Sequence, residues 1–311
     1  MTKAALEGSK QGTVSARAVV FERPETLALR DFELAPPGPG EVLINAEFSG
    51  ISTGTEKLLW TDQMPPFPGL GYPLVPGYET VGRVAACGAG VKAQVGERVF
   101  ASGARCYGDV RGLFGGASSH LVTAEAKTIN VVHSNDDEAI LLALSATAHH
   151  ALFDGETPAL PDLVIGHGVV GRLLARLTIA LGGLPPTVWE TNEQRRHGAT
   201  DYPVIPQELD DRRDYRCIID ASGDPTILDV ALASMAKQGE IVLAGFYAQP
   251  LAFNFVPAFM REATVRIAAE WNPVDLTSVN NLMRDGSLSL DNLITHRVPA
   301  EQADDAYRTA F

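Results

Sequence analysis

Leu163-Val164-Ile165-Gly166-His167-Gly168-Val169-Val170-Gly171-Arg172 is the stretch on which the fold turns. A short apolar run ends in GxGxxG, and the residues after it, Arg172 to Leu181, carry helical spacing. In that strand, turn and helix context the glycines let a backbone approach a pyrophosphate, while the helix N-terminus offers unpaired N–H groups and positive partial charge. Thr187-Val188-Trp189 follows as a second strand and completes a βαβ unit. Gly166, Gly168, Val169, Val170 and Gly171 are therefore candidate dinucleotide-binding residues. The second strand ends at Glu190, roughly 24 residues beyond Gly166, where an acidic side chain holds the adenosine ribose hydroxyls and favours NAD over NADP. Arg195 and Arg196, on the loop that follows, keep a 2′-phosphate site open; their plainer reading is a solvated surface pair.

Working outward, Cys217 to Ile219 and Glu240 to Ala244 read as further apolar strands, with a helical stretch at Thr226 to Ala236 between them. The alternation implies a parallel sheet. Its strand ends at Asp220-Ala221-Ser222-Gly223 and Ala244-Gly245-Phe246-Tyr247 share the carboxyl edge with the glycine turn, so Ala221, Ser222, Gly245 and Tyr247 are candidates for the nicotinamide half. Upstream the texture differs. Short β-rich runs at Ala16 to Phe21, Glu41 to Phe48, Thr80 to Ala86 and Arg98 to Ala101 are broken by turns such as Pro36-Pro37-Gly38-Pro39-Gly40, which predicts a mainly β domain. Asp136-Asp137-Glu138 resembles an acidic helix start before the apolar run Ala139 to Leu152, a linking helix.

Composition fits that picture and narrows the function. The chain has 311 residues, 45% hydrophobic and 20% charged, enough for two domains with a real core. A net charge of −13 repels phosphate backbones and disfavours nucleic acid as a partner. Cys87, Cys106 and Cys217 form no CxxC pair, which points to reduced thiols in a cytoplasmic protein, and MTKAALEGSKQG lacks a secretory apolar run. The most apolar stretch, Leu163 to Leu184, is interrupted by His167, Arg172 and Arg176, too polar for an integral membrane segment.

The order of motifs resembles the medium-chain dehydrogenases, the family of zinc alcohol dehydrogenases and their zinc-free relatives. The matching segments are Gly40 to Ile44, Val75-Pro76-Gly77-Tyr78-Glu79-Thr80-Val81-Gly82, Val95 to Val99 and the glycine fingerprint. The resemblance implies a GroES-like mainly β catalytic domain over 1–135, with 272–311 returning to it. It also implies a Rossmann doubly wound parallel sheet over 136–271, including the linking helix. It departs from the zinc members at the ligands: Ser49 to Glu56 has Ser or Thr where the first ligand stands, Tyr78 replaces the histidine, and the four-cysteine lobe is missing. Neutral hydroxyls are poor zinc ligands, and His149 and His150, adjacent on a helix, point about 100° apart, so no metal site is expected. Alcohol oxidation still needs a proton acceptor. Tyr78 stands where a ligand would and polarises the substrate oxygen, Glu79 or His149 accepts the proton, Thr55 matches the family's relay threonine, and Thr53 joins them as a candidate.

SGISTGTEKLLW (49–60), PLVPGYETVGRV (73–84), FGGASSHLV (114–122) and GHGVVGRLLARL (166–177) resemble more narrowly the bacteriochlorophyllide dehydrogenase branch. That resemblance implies NAD-dependent oxidation of a 1-hydroxyethyl group on a bacteriochlorophyllide to acetyl, with the site at a photosynthetic membrane's periphery an open possibility and a homodimer an expectation. A flat apolar macrocycle needs an apolar lip, for which the loop from Trp60 to Tyr72 supplies Trp60, Phe67 and Tyr72, and Trp271 a further ring. Two other classes fit the same motifs: a zinc-free NADPH-dependent quinone or enoyl reductase, and a non-catalytic dinucleotide-binding delivery factor.

Overall fold

The computed structural model describes residues 12–131, 137–154, 157–199 and 201–311. The opening residues 1–11 and the acidic helix start at Asp136 lie outside the described residues. The chain divides into two units, Met1–Leu141 with His296–Phe311, and Leu142–Thr295.

The first unit is built from strands broken by tight turns. β1 (Val14–Arg23) alternates exposed Ser15 and Arg17 with buried Ala16 and Ala18, then buries Val19, Val20 and Phe21 on both faces, and pairs antiparallel with β2 (Thr26–Leu34). Next come β3 (Glu41–Ser49), the short helix α1 (Thr55–Trp60), β4 (Leu74–Val75), β5 (Thr80–Cys87) and β6 (Arg98–Ala101). β7 (Arg111–Gly112), β8 (His120–Ala124) and β9 (Thr128–Asn130) complete the unit's strands. They form a four-stranded sheet, β2-β1-β4-β7, and a five-stranded one, β8-β3-β5-β6-β9. The C-terminal helix α7 (Ala303–Ala310) belongs to this unit, because Tyr307 packs edge-on against Phe21 at 5.1 Å inside its core.

The second unit begins with α2 (Leu142–Ala151), preceded by a 3₁₀ turn at Glu138–Leu141, and an antiparallel pair of short strands, β10 (Phe153–Asp154) and β11 (Thr157–Pro158). Then come β12 (Leu163–Ile165), α3 (Val169–Ala180), β13 (Thr187–Trp189), β14 (Val204–Ile205) and β15 (Tyr215–Asp220). α4 (Ile227–Ser234), β16 (Met235–Leu243), α5 (Phe255–Arg261), β17 (Thr264–Ile267) and α6 (Pro273–Arg284) follow. The six strands lie parallel in the order β14-β13-β12-β15-β16-β17, so the order reverses beside β12. Ile165 pairs with both Trp189 and Asp220, and Asp220 with Leu243, which brings the ends of four strands to one edge. At such a switch point an open sheet binds its ligand.

Helix α6, which the sequence reading counted with the returning segment, lies in the second unit instead. Asp275 in its first turn accepts hydrogen bonds from His149 and His150 of α2, which fastens the two helices. Among the described residues no helix is long and apolar enough to cross a membrane.

Candidate active site

The three glycines of the turn after β12 do three different things. Gly166 has φ +96, and a Cβ there would lie 3.1 Å from Ser222 Cα, so a side chain fits neither the conformation nor the space. At Gly171 a Cβ would stand 1.9 Å from the Gly166 carbonyl oxygen, so helix α3 seats on the turn only with hydrogen there. Gly168, the N-cap of α3, has no side-chain cap, and a Cβ on it would meet nothing within 4 Å. The turn is thus tight behind and open in front, with the N–H groups of Val169, Val170 and Gly171 in the first helical turn, where backbone donors lack intrahelical partners. These residues fit a dinucleotide pyrophosphate.

Glu190, 8% exposed at the end of β13, accepts the His167 N–H at 2.9 Å and the Asn192 N–H at 2.8 Å, so its carboxylate is fixed against the glycine turn. Arg195 exposes its side chain, while its carbonyl accepts from His167 Nδ1 at 2.6 Å. His167, whose side chain the motif pattern leaves unspecified, is buried, and its Nε2 accepts from the Tyr202 hydroxyl at 3.0 Å. Burial lowers its pKa, leaving a neutral imidazole that ties the turn to the segment after β13. At the next strand end, Asp220 accepts the Ser222 N–H at 3.0 Å and a hydrogen bond from the Tyr247 hydroxyl, and burial raises its pKa. The Gly245 N–H donates to the Asp220 carbonyl at 3.0 Å, and Ala221 follows directly, so Ala221, Ser222, Gly245 and Tyr247 are gathered about one buried acid.

The first unit holds a buried polar cluster. Tyr78 follows β4 and donates its hydroxyl to Ser52 Oγ at 2.7 Å, and Thr55, at the start of α1, also bonds to that phenol. Glu56 on α1 is fully buried; its Oε1 accepts the Ser52 N–H at 3.3 Å and its Oε2 the Tyr307 hydroxyl at 3.1 Å. Glu79 is 2% exposed, and its Oε1 has no hydrogen-bond partner among the described residues. Gly50 makes room for it: a Cβ there would lie 2.2 Å from Glu79 Oε2. Burial pushes the Glu56 carboxyl up to about 8 against the pull of its two donors, and burial with the neighbouring Glu56 raises Glu79 well above the usual carboxylate range. Burial, then the Glu79 charge, also raises the Tyr78 phenol, so Tyr78 suits donation to an oxygen and not proton abstraction.

Several sequence expectations are corrected here. Thr53 is exposed, and it is Ser52 that lies with Tyr78. Ser52 and Tyr78 are thus two neutral hydroxyls bonded to each other, a donor set that does not fit zinc. His149 lies in the second unit, 6% exposed, bonded through Nδ1 to Asp275 at 2.7 Å and stacked on Phe153 at 4.6 Å. Trp60 is no lip: it ends α1, is 5% exposed, and packs on Phe21 and Tyr307. Tyr72 donates to the Leu59 carbonyl, and Phe67 stands edge-on to Phe114 at 6.4 Å, which in turn meets Tyr78 at 5.4 Å. Trp271 is half-buried beside the N-cap of α6. Ser52 and Glu56 were reachable from sequence only as neighbours of the departed ligand; Tyr307, more than two hundred residues away, carried no local signal.

Comparison with known proteins agrees with this geometry. Residues 38–134 match the alcohol dehydrogenase GroES-like domain. Together with the parallel sheet and its glycine turn, this makes the chain a medium-chain dehydrogenase, GroES-like in its first part and Rossmann in its second. More narrowly, it belongs to the family of the 2-desacetyl-2-hydroxyethyl bacteriochlorophyllide A dehydrogenase of Cereibacter sphaeroides, with which it shares 53% identity over 94% of each chain. In overall fold it is similar to an Escherichia coli CFT073 alcohol dehydrogenase solved with NADH, at TM-score 0.81 and 22% identity, covering 94% of this chain and 95% of that one. A Sinorhizobium meliloti 1021 dehydrogenase solved with NADP gives TM-score 0.79 and 18% identity at the same coverage.

Proposed function

We propose that this protein oxidises the 3-(1-hydroxyethyl) group of a bacteriochlorophyllide to 3-acetyl, using NAD and no catalytic zinc. The observation that carries the reading is 53% identity along nearly the whole chain to a dehydrogenase of that kind. Bound nicotinamide supplies the hydride acceptor. The chain's part in dinucleotide binding falls to the turn Gly166 to Gly171, and Glu190 selects NAD because a buried carboxylate repels a 2′-phosphate. Tyr78 donates to the substrate oxygen and orients it, its single O–H turning from Ser52 Oγ, whose own hydroxyl then donates back to the phenol. Glu79 takes the hydroxyl proton; its unpartnered Oε1 and raised pKa make its carboxylate a strong base once ionised. Phe67 and Phe114 supply apolar surface to the macrocycle.

The reading extends to the protein's setting. It places the enzyme in the cytoplasm, at the periphery of a photosynthetic membrane, as a homodimer. Support for the dimer comes from edge strand β17 and helix α5, where Phe255, Phe259 and Ile267 are 68%, 64% and 75% exposed.

The deciding experiment incubates purified protein with NAD and 3-(1-hydroxyethyl)bacteriochlorophyllide a and follows nicotinamide reduction together with the pigment's red band. Concerted change after metal removal supports the reading. Turnover that needs added zinc, or that prefers NADP, refutes the corresponding part. Pigment and NADH binding without turnover would instead identify a delivery factor.

A further inference from the structure

Glu56 is the most deeply buried titratable group in the first unit that the proposed chemistry does not use. It sits on α1, and three parts of the chain converge on it. The loop before α1 gives the Ser52 N–H at 3.3 Å, and the C-terminal helix α7 gives the Tyr307 hydroxyl at 3.1 Å. The segment after β4 carries Tyr78, bonded to Ser52, and Glu79, whose charge opposes that of Glu56. Among the described residues no ion pair reaches Glu56, and its hydrogen-bond partners are these two donors.

We infer that Glu56 is a positioning residue for the proposed alcohol oxidation, and that its charge, held by Tyr307, fixes Ser52 and through it the hydroxyl of Tyr78. The inference rests on the dehydrogenase reading above. The physical reason is the inventory of donors. Two donors, Ser52 N–H and Tyr307 O–H, satisfy an ionised carboxylate, one on each oxygen. A protonated carboxyl has its own O–H to place, and the only hydroxyl on it, Tyr307, must then give up donating to accept. The clamp on Ser52 is therefore tightest in the ionised form, and with it the position of Ser52 Oγ, which accepts from Tyr78. Burial makes that ionisation fall at about 8. Helix α7, packed in the same core through the Tyr307 ring, supplies this donor from the far end of the chain.

The test uses two variants that spare the core. Glu56→Gln is isosteric, and Tyr307→Phe keeps the ring between Phe21 and Trp60 while removing the hydroxyl. In wild type, kcat should rise through a limb centred near 8. Tyr307→Phe should move that limb upward by about one pH unit, the loss of one bond to a charged group. Glu56→Gln should abolish that limb and leave only the one set by Glu79, displaced downward because the Glu56 charge is gone, with kcat below wild type above pH 8 and NADH affinity unchanged in both. A limb that stays in place in both variants overturns the inference.

An activity-free readout separates failure of the inference from failure of the reading. In pH-difference infrared spectra, wild type should lose a buried carboxyl band with its midpoint near 8, and a Tyr78 ring mode should shift in step. Both signals should be missing from Glu56→Gln. If wild type never oxidises the pigment, the dehydrogenase reading falls, and a coupled band and ring mode still support the Glu56 clamp. A Tyr78 mode indifferent to pH overturns the clamp whatever the activity.

Discussion

Replacing Gly168 and Gly171 by alanine, one at a time, separates binding from folding within a single turn. At Gly168 the added methyl meets nothing within 4 Å, and the backbone at φ −72 and ψ −171 is ordinary for any residue. Losing a glycine N-cap costs about 0.5–1 kcal/mol, and the less flexible unfolded chain returns about 0.4–1 kcal/mol, so stability should hardly change. The methyl nevertheless occupies the open front of the turn. If it displaces a pyrophosphate from one backbone donor, the loss is about 1.5–3 kcal/mol, or about ten- to hundredfold in affinity. At Gly171 the order reverses, since a Cβ 1.9 Å from the Gly166 oxygen forces α3 off the turn. Such overpacking costs about 1–3 kcal/mol, and each kcal/mol lowers the melting temperature by about 2–4 °C. Fluorescence titration with NADH and a melting curve on each variant read both quantities. A Gly168→Ala protein that binds NADH like wild type would refute the placement of the dinucleotide over this turn.

Three further outcomes follow from the packing and charge already described. Trp60→Ala should cost about 3–5 kcal/mol in urea unfolding, because the ring is buried against Phe21 and Tyr307; a variant as stable as wild type would contradict its core position. Asp210 has burial working against its ionisation, yet Tyr215 and Trp189, each at 2.6 Å, and the Arg212 N–H hold its carboxyl below 3.8. A depressed acid stabilises the fold above its unfolded pKa and loses that contribution as pH falls through the folded one, so Asp210→Asn should flatten the stability loss below 3.8, read by denaturation across acid pH. Phe259→Asp should turn the proposed dimer into a monomer in sedimentation velocity, while an unchanged dimer would move the interface elsewhere.

The βαβ unit was legible because its signals are local: an apolar strand, three glycines and a helix within twenty residues, whose spacing follows from the geometry of one turn. Glu190 was legible for the same reason, since it ends the adjacent strand. The polar cluster was only half visible. Tyr78 and Glu79 stood out as departures at recognisable positions, but choosing Ser52 over Thr53 required knowing which side of the loop before α1 faces inward. Trp60 misled because an aromatic ring among prolines and glycines looks the same on paper whether it lines a cleft or plugs a core. Its partner Tyr307 lies at the far end of the chain, and only folding brings them together. His149 misled similarly: Asp275, which claims its Nδ1, sits on a helix that sequence alone assigned to the other domain.

The Ser52–Tyr78 pair has a chemical durability that a thiolate and an imidazole on zinc do not. In that bond a peroxide finds no sulfur to oxidise, because both atoms are hydroxyl oxygens.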